Sequence, residues 1–224
     1  MTRLTLPRNR RAPLTLLCLG AHSDDIEIGC GGTLLFLKER YPNLYVHWVV
    51  FSASAARAEE ATRSAGLFTG GCGCDVQVLE FRDGFLPYQG ADVKEVFEAL
   101  KTRIDPHIIF THWRDDAHQD HRLLSELTWN TFRDHLVLEY EIPKYDGDMG
   151  RPNLYVPLDT GTCGRKCDYL MEAFPSQSGK RWFSRDVFLG LLRLRGMEAN
   201  ASSGYAEAFH ARKLVLYGDA AEED

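Results

Sequence analysis

The chain has 224 residues, of which 44% are hydrophobic and 26% are charged, and its formal net charge is −6. This composition is that of a globular protein and excludes disordered, collagen-like and coiled-coil chains. The acidic balance lacks the basic field of a general nucleic-acid binder, so we expect no nucleic-acid partner. The longest apolar stretch, residues 187–194, is interrupted by Arg193. It is far shorter than the roughly 18 residues of a membrane-spanning helix, so we predict no integral membrane segment.

The N-terminus imitates a secretory signal, because four arginines precede the apolar residues 14–19. The apolar run is too short for such a signal and leads into charged residues rather than a small-residue cleavage site. Six cysteines are also too few for a disulfide framework in a chain of this length. We therefore expect a cytoplasmic protein with free thiols. A structural zinc site on Cys72, Cys74, Cys163 and Cys167 is a less favoured alternative.

Apolar segments alternate with segments of helical composition along the first 142 residues. The sequence predicts strands at residues 14–19, 44–51, 76–79, 107–110 and 137–142, and helices at residues 33–40, 57–67, 93–103 and 121–132. Strands that alternate with helices form a parallel sheet with right-handed crossovers. We therefore predict an α/β fold with a mostly parallel sheet, helices on both faces, and a doubly wound core over residues 12–142.

Glycine and proline punctuate the rest of the chain, where the regular alternation ends. We interpret residues 143–224 as a loop-rich extension that walls a pocket and belongs to the same domain, which then spans residues 1–224. Within this extension we predict helices at residues 166–174 and 184–196 and an added strand at residues 214–217.

Two polar clusters follow the first and fourth predicted strands. In the common strand order 3-2-1-4-5, strands one and four are neighbours, and ligands bind beyond their carboxyl ends. We therefore expect the two clusters to face each other across one crevice. The first cluster is His22-Ser23-Asp24-Asp25, and the second contains His112, Asp116, His118, Asp120 and His121.

The residue types in these clusters suit a catalytic divalent metal. A catalytic zinc commonly takes three protein ligands from imidazole nitrogen and carboxylate oxygen and keeps one position for water. His22, Asp25 and His121 would supply that set. Asp24 would face the water as general base, and His118, oriented by Asp120, would stabilise a developing oxyanion.

Simpler interpretations exist for parts of this pattern. Taken alone, Asp24-Asp25 could cap a helix and compensate its macrodipole. Gly29-Cys30-Gly31-Gly32 does not have the spacing of a dinucleotide-binding loop, and it follows an acidic pair that would repel a pyrophosphate. We expect these glycines to allow close packing of a helix on a strand.

The segment Ala21-His22-Ser23-Asp24-Asp25-Ile26-Glu27-Ile28-Gly29-Cys30-Gly31-Gly32-Thr33 resembles the signature of the LmbE-like, or PIG-L, N-deacetylases, which are zinc enzymes on a Rossmann-like fold. The resemblance extends over residues 14–217. Ser23 and Gln119 stand where the family usually has proline, which predicts slightly less rigid loops. The further similar motifs are Arg57-Ala58-Glu59-Glu60-Ala61, Asp83-Gly84, His118-Gln119-Asp120-His121, Ser176-Gln177 and Tyr205-Ala206-Glu207-Ala208-Phe209.

The resemblance implies a Rossmann-like three-layer sandwich and a role for each residue that matches a motif. It makes His22, Asp25 and His121 the ligands of one Zn²⁺, or another divalent metal, per chain. It makes Asp24 the base that activates water and Arg57 a substrate contact. His118 becomes the acid that stabilises the oxyanion, with Asp120 as its partner.

We therefore expect a zinc-dependent hydrolase that removes an N-acetyl or other N-acyl group from an amino sugar or glycoside, such as an N-acetylglucosamine derivative, by metal-activated water. The sugar class follows from the resemblance alone. One alternative is hydrolysis of another N-acyl amide, such as a thiol conjugate. A second is a non-catalytic metal-binding module. The sequence leaves a homo-oligomer open.

Overall fold

Strands and helices alternate through the first two-thirds of the chain in the computed structural model, which describes Leu6 and residues 11–215. The strands are β1 (Leu14–Gly20), β2 (Leu44–Val50), β3 (Gly73–Val78), β4 (Ile108–His112), β5 (Leu136–Tyr140), β6 (Leu154–Pro157) and β7 (Ala206–His210). The α-helices are α1 (Asp25–Lys38), α2 (Ala55–Thr69), α3 (Gly90–Arg103), α4 (Gln119–Thr131), α5 (Thr160–Ala173) and α6 (Arg185–Glu198). Two 3-10 turns also form, Leu86–Gln89 and Pro175–Gln177.

The seven strands in the described part of the chain belong to one sheet, in the order β3-β2-β1-β4-β5-β7-β6. Strands β1 to β5 pair in parallel, whereas β7 is antiparallel to both of its neighbours. In β1, Leu16 and Cys18 enter one hydrophobic core, and Leu17 and Leu19 enter another. The apolar run of β1 is continuous because both of its faces are buried. The predicted α/β sandwich and the strand order 3-2-1-4-5 are confirmed.

The last third of the chain contributes two strands that the sequence analysis did not predict. β6 has four residues and β7 has five, and Glu207 interrupts the apolar pattern of β7. Short strands with a buried charge give little periodic signal. The predicted strand at residues 214–217 is wrong for its described part, because Leu214 and Val215 lie in no regular element. Residues 216 and 217 lie outside the described residues.

Helix α1 begins at Asp25, well before the predicted start at residue 33. The glycines therefore lie inside the helix and not in a turn before it. A Cβ atom on Gly29 would lie 2.1 Å from the ring of Tyr140, and a Cβ on Gly32 would lie 2.5 Å from Leu158. The glycines permit these close approaches, as the packing interpretation expected, at the cost of some helix propensity.

A buried ion pair fastens α1 to the last third of the chain. Glu207 accepts the backbone N–H groups of Gly32 and Thr33 at 2.7 and 2.6 Å. Lys166 of α5 donates to Glu207 at 2.6 Å and to the carbonyl oxygen of Ile28 at 2.7 Å. Both charged side chains are only 3% exposed. Buried charges persist when they have such partners, so the orientation of α1 depends on β7 and α5.

No helix among the described residues is long and apolar enough to cross a membrane. The six cysteines form no disulfide. In the part of the chain that the structure describes, no cysteine belongs to a group of three or more side chains placed to share a metal ion. The alternative of a structural zinc site on cysteines is therefore not supported.

Replacing Gly29 with alanine should destabilise the protein, because the added methyl group would overlap the ring of Tyr140, which is fully buried. Overpacking of this kind costs about 1–3 kcal/mol. Gly66→Ala in α2 is the matched control, since its Cβ would meet nothing within 4 Å. This control should stabilise the protein by about 0.4–1 kcal/mol. Urea titration measures both free energies of unfolding, and a neutral Gly29→Ala would contradict the packing argument.

Candidate active site

The two polar clusters meet beyond the carboxyl ends of β1 and β4. These strands are parallel neighbours, so their ends lie at one edge of the sheet. Asp24 and Asp25 stand at the start of α1, and the side chain of Asp24 makes no capping hydrogen bond. His118 is the residue before α4. The structure thus brings the predicted clusters together, and capping alone does not account for the acidic pair.

Three candidate ligand atoms form a small triangle at this edge. His22 Nδ1 lies 3.3 Å from Asp25 Oδ2 and 3.2 Å from His121 Nε2, and the third side, between Asp25 Oδ2 and His121 Nε2, is 3.6 Å. Tetrahedral zinc with bonds of about 2.0–2.1 Å needs ligand atoms about 3.3–3.4 Å apart. The three atoms therefore have the spacing of one face of a tetrahedral metal site. The cluster could hold a metal ion.

Carboxylates face the remaining ring nitrogens of both histidines. Asp116 Oδ2 lies 2.9 Å from His121 Nδ1. His22 Nε2 lies 3.1 Å from Asp83 Oδ1 and 3.3 Å from Asp120 Oδ2. A carboxylate at the second nitrogen fixes the orientation of an imidazole and leaves the first nitrogen free to bind a metal. The sequence analysis gave no role to Asp116 or Asp83, although Asp116 lies in the second cluster and Asp83 in the Asp-Gly motif.

Among the described residues, no hydrogen bond joins the Asp120 carboxylate to the ring of His118, contrary to the expected partnership. The carboxylate accepts the backbone N–H groups of Gly84 and Leu86 at 2.8 and 3.1 Å, and it faces His22. The backbone N–H of Asp120 instead donates to His118 Nδ1 at 3.2 Å. His118 occupies the capping position of α4, so the start of the helix orients its ring.

His118 lies against the proposed ligands. Its ring centroid is 4.9 Å from that of His22 and 4.6 Å from that of His121. Burial, helped by the neighbouring His22, lowers the pKa of His118. Because Nδ1 accepts a hydrogen bond, the neutral ring carries its proton on Nε2 and is a hydrogen-bond donor without being charged.

Asp24 is braced by a cation and keeps one free oxygen. Arg57 Nη2 donates to Asp24 Oδ1 at 2.7 Å, and Asp24 Oδ2 is buried without a hydrogen-bond partner among the described residues. Burial raises the pKa of Asp24 against the opposing effect of Arg57. Arg57 also donates to Glu60 at 2.9 Å and to Ser176 at 3.1 Å. The sequence analysis gave Arg57 the role of a substrate contact and did not anticipate its direct contact with Asp24.

Imidazole rings enclose the buried Asp25 carboxylate. His112, another residue given no role from sequence, stacks on His121 with ring centroids 3.8 Å apart and lies 3.3 Å from Asp25. Burial acts to raise the pKa of Asp25, but the three imidazoles, including His22, hold it well below its usual range. His112 Nε2 accepts the N–H of Ala21 at 2.9 Å, so its lone pair is engaged and the ring supports the site rather than completing the triangle.

The two histidines of the triangle respond differently to this environment. Burial disfavours the charged ring of His22, but the carboxylates of Asp25, Asp120 and Asp83 outweigh it and raise its pKa well above the usual value. Burial and the adjacent His112 lower the pKa of His121 to about 4. His121 is therefore neutral at pH 7, the state in which an imidazole can bind a metal.

A family model described as PIG-L, GlcNAc-PI de-N-acetylase, matches residues 17–132. The match covers a little over half of the chain and includes both polar clusters and Arg57. The chain therefore belongs to the PIG-L family. No curated protein matches the chain.

Several solved structures share the fold. A conserved protein from Thermus thermophilus has 22% identity and a TM-score of 0.72, over 91% of this chain and 97% of that one. The N,N'-diacetylchitobiose deacetylase from Pyrococcus horikoshii has 21% identity and a TM-score of 0.69, over 89% and 84%. The 4-carboxy-2-hydroxymuconate hydratase from Pseudomonas putida has 17% identity and a TM-score of 0.71, over 93% and 100%. At these identities the likeness shows the fold alone.

In the metal-free protein at pH 7, His118 should be neutral with its proton on Nε2. The reason is that burial lowers its pKa and the Asp120 N–H occupies Nδ1. Two-bond 1H–15N spectra distinguish the tautomers, and a pH titration should place the midpoint below the usual value of about 6.5. A proton on Nδ1, or a midpoint above 6.5, would contradict this assignment.

Proposed function

We propose that the protein is a zinc-dependent hydrolase that removes an acetyl group from the nitrogen of an amino sugar or glycoside. The observation that carries this proposal is the triangle of His22 Nδ1, Asp25 Oδ2 and His121 Nε2, whose 3.2–3.6 Å sides fit a tetrahedral metal. Membership of the PIG-L family supports the same reaction class. We further propose one catalytic domain, since β6 and β7 extend the sheet of the core.

The donor set fits a catalytic zinc site. Two imidazoles and one carboxylate are a common ligand set for catalytic zinc. The surrounding carboxylates give the site an excess of negative charge, which favours a cation. When bound, a divalent metal would polarise the amide carbonyl and acidify a water molecule. His22, Asp25 and His121 would hold the metal through the three atoms of the triangle.

Asp24 would accept the proton of the attacking water through its free Oδ2 atom. Its other oxygen is held by Arg57 at 2.7 Å, which fixes the carboxylate and leaves only one atom available. Asp24 could then return the proton to the departing amine, as a general base becomes a general acid in the second half of an amide hydrolysis. Arg57 would therefore orient the base as well as contact the substrate.

His118 would donate from Nε2 to the oxyanion that forms on the amide oxygen. Its Nδ1 is engaged by the backbone of Asp120, so the donor tautomer is set before substrate binds. A preorganised donor at such a position is worth roughly 10²–10³ in turnover. Asp120 would act on the metal side of the site, by holding His22 at Nε2.

The substrate class rests on the comparisons and on the rim of the site. Arg57, Ser176 and the 78%-exposed side chain of Asp83 can hydrogen-bond the hydroxyl groups of a sugar. The Pyrococcus horikoshii neighbour is named as an N,N'-diacetylchitobiose deacetylase, and other neighbours of the same fold are named as an A40926 pseudoaglycone deacetylase and a teicoplanin deacetylase. We propose a cytoplasmic location, which six free cysteines favour.

The direct test is release of free amine by the zinc-loaded protein from a panel of N-acetylated sugars, glycosides and thiol conjugates. We expect turnover of an acetylated amino sugar or glycoside. Turnover of the thiol conjugates alone would establish the alternative function, hydrolysis of another N-acyl amide. Tight zinc binding without turnover of any amide would establish the binding module. One neighbour is named as a 4-carboxy-2-hydroxymuconate hydratase, so the addition of water to an unsaturated acid is assayed as a comparison reaction.

Asp24 and Asp25 should separate by function. Asp24→Asn keeps the side-chain size but cannot accept the proton, so kcat should fall by roughly 10²–10⁴ with metal content near that of wild type. Asp25→Ala removes one ligand, so metal content itself should fall. Elemental analysis and kinetics of both variants provide the check. Loss of metal from Asp24→Asn with retention in Asp25→Ala would reverse the two roles.

Asp120→Asn should weaken zinc binding by about 10–100-fold, because His22 loses the carboxylate at Nε2. His118→Ala is the matched control in the same motif, and it should lose turnover while keeping wild-type zinc affinity. Competition with a chelator measures both affinities. An unchanged affinity in Asp120→Asn would overturn the proposed role of Asp120 in holding His22.

A further inference from the structure

Lys144 is a nearly buried cation whose charge reaches the candidate site from the loop after β5. Its ammonium group lies 3.0 Å from Asp116 Oδ1 and also contacts Asp148, and only 11% of its side chain is exposed. Asp148 in turn accepts the backbone N–H of Ala117 at 2.7 Å, which ties the loop to the chain just before α4. The proposed reaction gives no role to this lysine.

Asp116 connects the lysine to a proposed metal ligand. One of its oxygens faces Lys144, and the other lies 2.9 Å from His121 Nδ1. Asp116 and His121 have only 2% and 3% of their side chains exposed, so solvent screens this row of groups weakly. The row consists of the Lys144 ammonium group, the Asp116 carboxylate and the His121 imidazole, and it ends at the Nε2 atom of His121, which belongs to the triangle.

Asp116 does not need Lys144 to keep its orientation. The backbone N–H of His118 donates to Asp116 Oδ1 at 2.7 Å, and the backbone N–H of Asp116 donates to the Trp113 carbonyl at 3.3 Å. The contribution of Lys144 to this position is therefore mainly its charge.

We propose that Lys144 is a positioning residue that limits how strongly Asp116 polarises His121. Through this effect Lys144 weakens metal binding, and it preserves the Lewis acidity of the bound metal. A carboxylate that withdraws the Nδ1 proton makes an imidazole a stronger donor to a metal. A cation on the far side of that carboxylate opposes this effect. The inference rests on the proposed ligand role of His121.

The sign of the effect separates this role from a structural one. Without the charge of Lys144, Asp116 should pull harder on the Nδ1 proton, so Lys144→Met should bind Zn²⁺ about 3–10-fold more tightly. If Lys144 only supported Asp116, its loss would loosen the metal. Lys144→Arg should keep the wild-type affinity because the charge remains. Lys101→Met, at an exposed position of α3, is the control for the same change in net charge.

The experiment measures Zn²⁺ dissociation constants by chelator competition in wild type, Lys144→Met, Lys144→Gln, Lys144→Arg, Lys101→Met and Asp116→Asn. Lys144→Gln provides a second neutral variant should methionine prevent folding. In the zinc-loaded protein, the Nδ1 proton of His121 should move downfield in 1H spectra of the neutral variants. Asp116→Asn should bind zinc about 10–100-fold more weakly, and Lys144→Met should change affinity by less than twofold in that background.

Weaker or unchanged zinc binding in both neutral variants would overturn the role of Lys144 while leaving the proposed function intact. A wild-type protein that binds no zinc would instead overturn the proposed ligand set itself, and with it this inference. The two failures are therefore distinguishable from one set of titrations.

Discussion

The Asp25 carboxylate is buried at the start of α1, and the arrangement of the candidate site follows from the need to compensate that charge. A buried carboxylate must be paired or hydrogen-bonded. Here the backbone N–H of His22 donates to it at 2.6 Å, and three imidazoles lie within 3.6 Å. Two of those imidazoles turn a nitrogen toward the same point as the carboxylate. The groups that compensate the charge of Asp25 therefore also form, together with its carboxylate, one face of a tetrahedral metal site.

A second layer of charged side chains surrounds the imidazoles of His22 and His121. Asp116, Asp120 and Asp83 face their outer nitrogens, so each ring is fixed in both tautomer and orientation. Arg57 and Lys144 are the two cations that reach this layer, one at the proposed base and one at Asp116. Among the described residues, the five carboxylates of Asp24, Asp25, Asp83, Asp116 and Asp120 outnumber Arg57, Lys144 and the His22 ring, whose pKa is raised. The region is therefore negative, and a divalent cation would neutralise much of that excess. The same charges that would attract the metal would also set how strongly it is held.

The last third of the chain holds this layer in place without supplying a proposed ligand. Glu207 and Lys166 bind backbone groups in the middle of α1, Ser176 braces Arg57, and Lys144 reaches Asp116. These contacts come from β7, α5, the 3-10 turn Pro175–Gln177 and the loop after β5. Substitutions there should alter the site through geometry and charge, which explains how a region of weak sequence pattern can matter to the chemistry.

The sequence by itself determined the core and the meeting of the two clusters. Continuous apolar runs such as β1 identify strands buried on both faces, and the alternation of strands with helices leads to the order 3-2-1-4-5. That order places residues 22–25 beside residues 118–121, because parallel neighbours end at the same edge. Only the tertiary structure decided which side chains touch. The Asp120 carboxylate faces His22 instead of His118, Arg57 contacts Asp24, and Lys144 lies against Asp116, because such contacts depend on rotamers and backbone donors that spacing along the chain does not encode. The short strands β6 and β7 likewise form through long-range pairing, β7 with β5 and β6 with β7, which gives no local periodic signal.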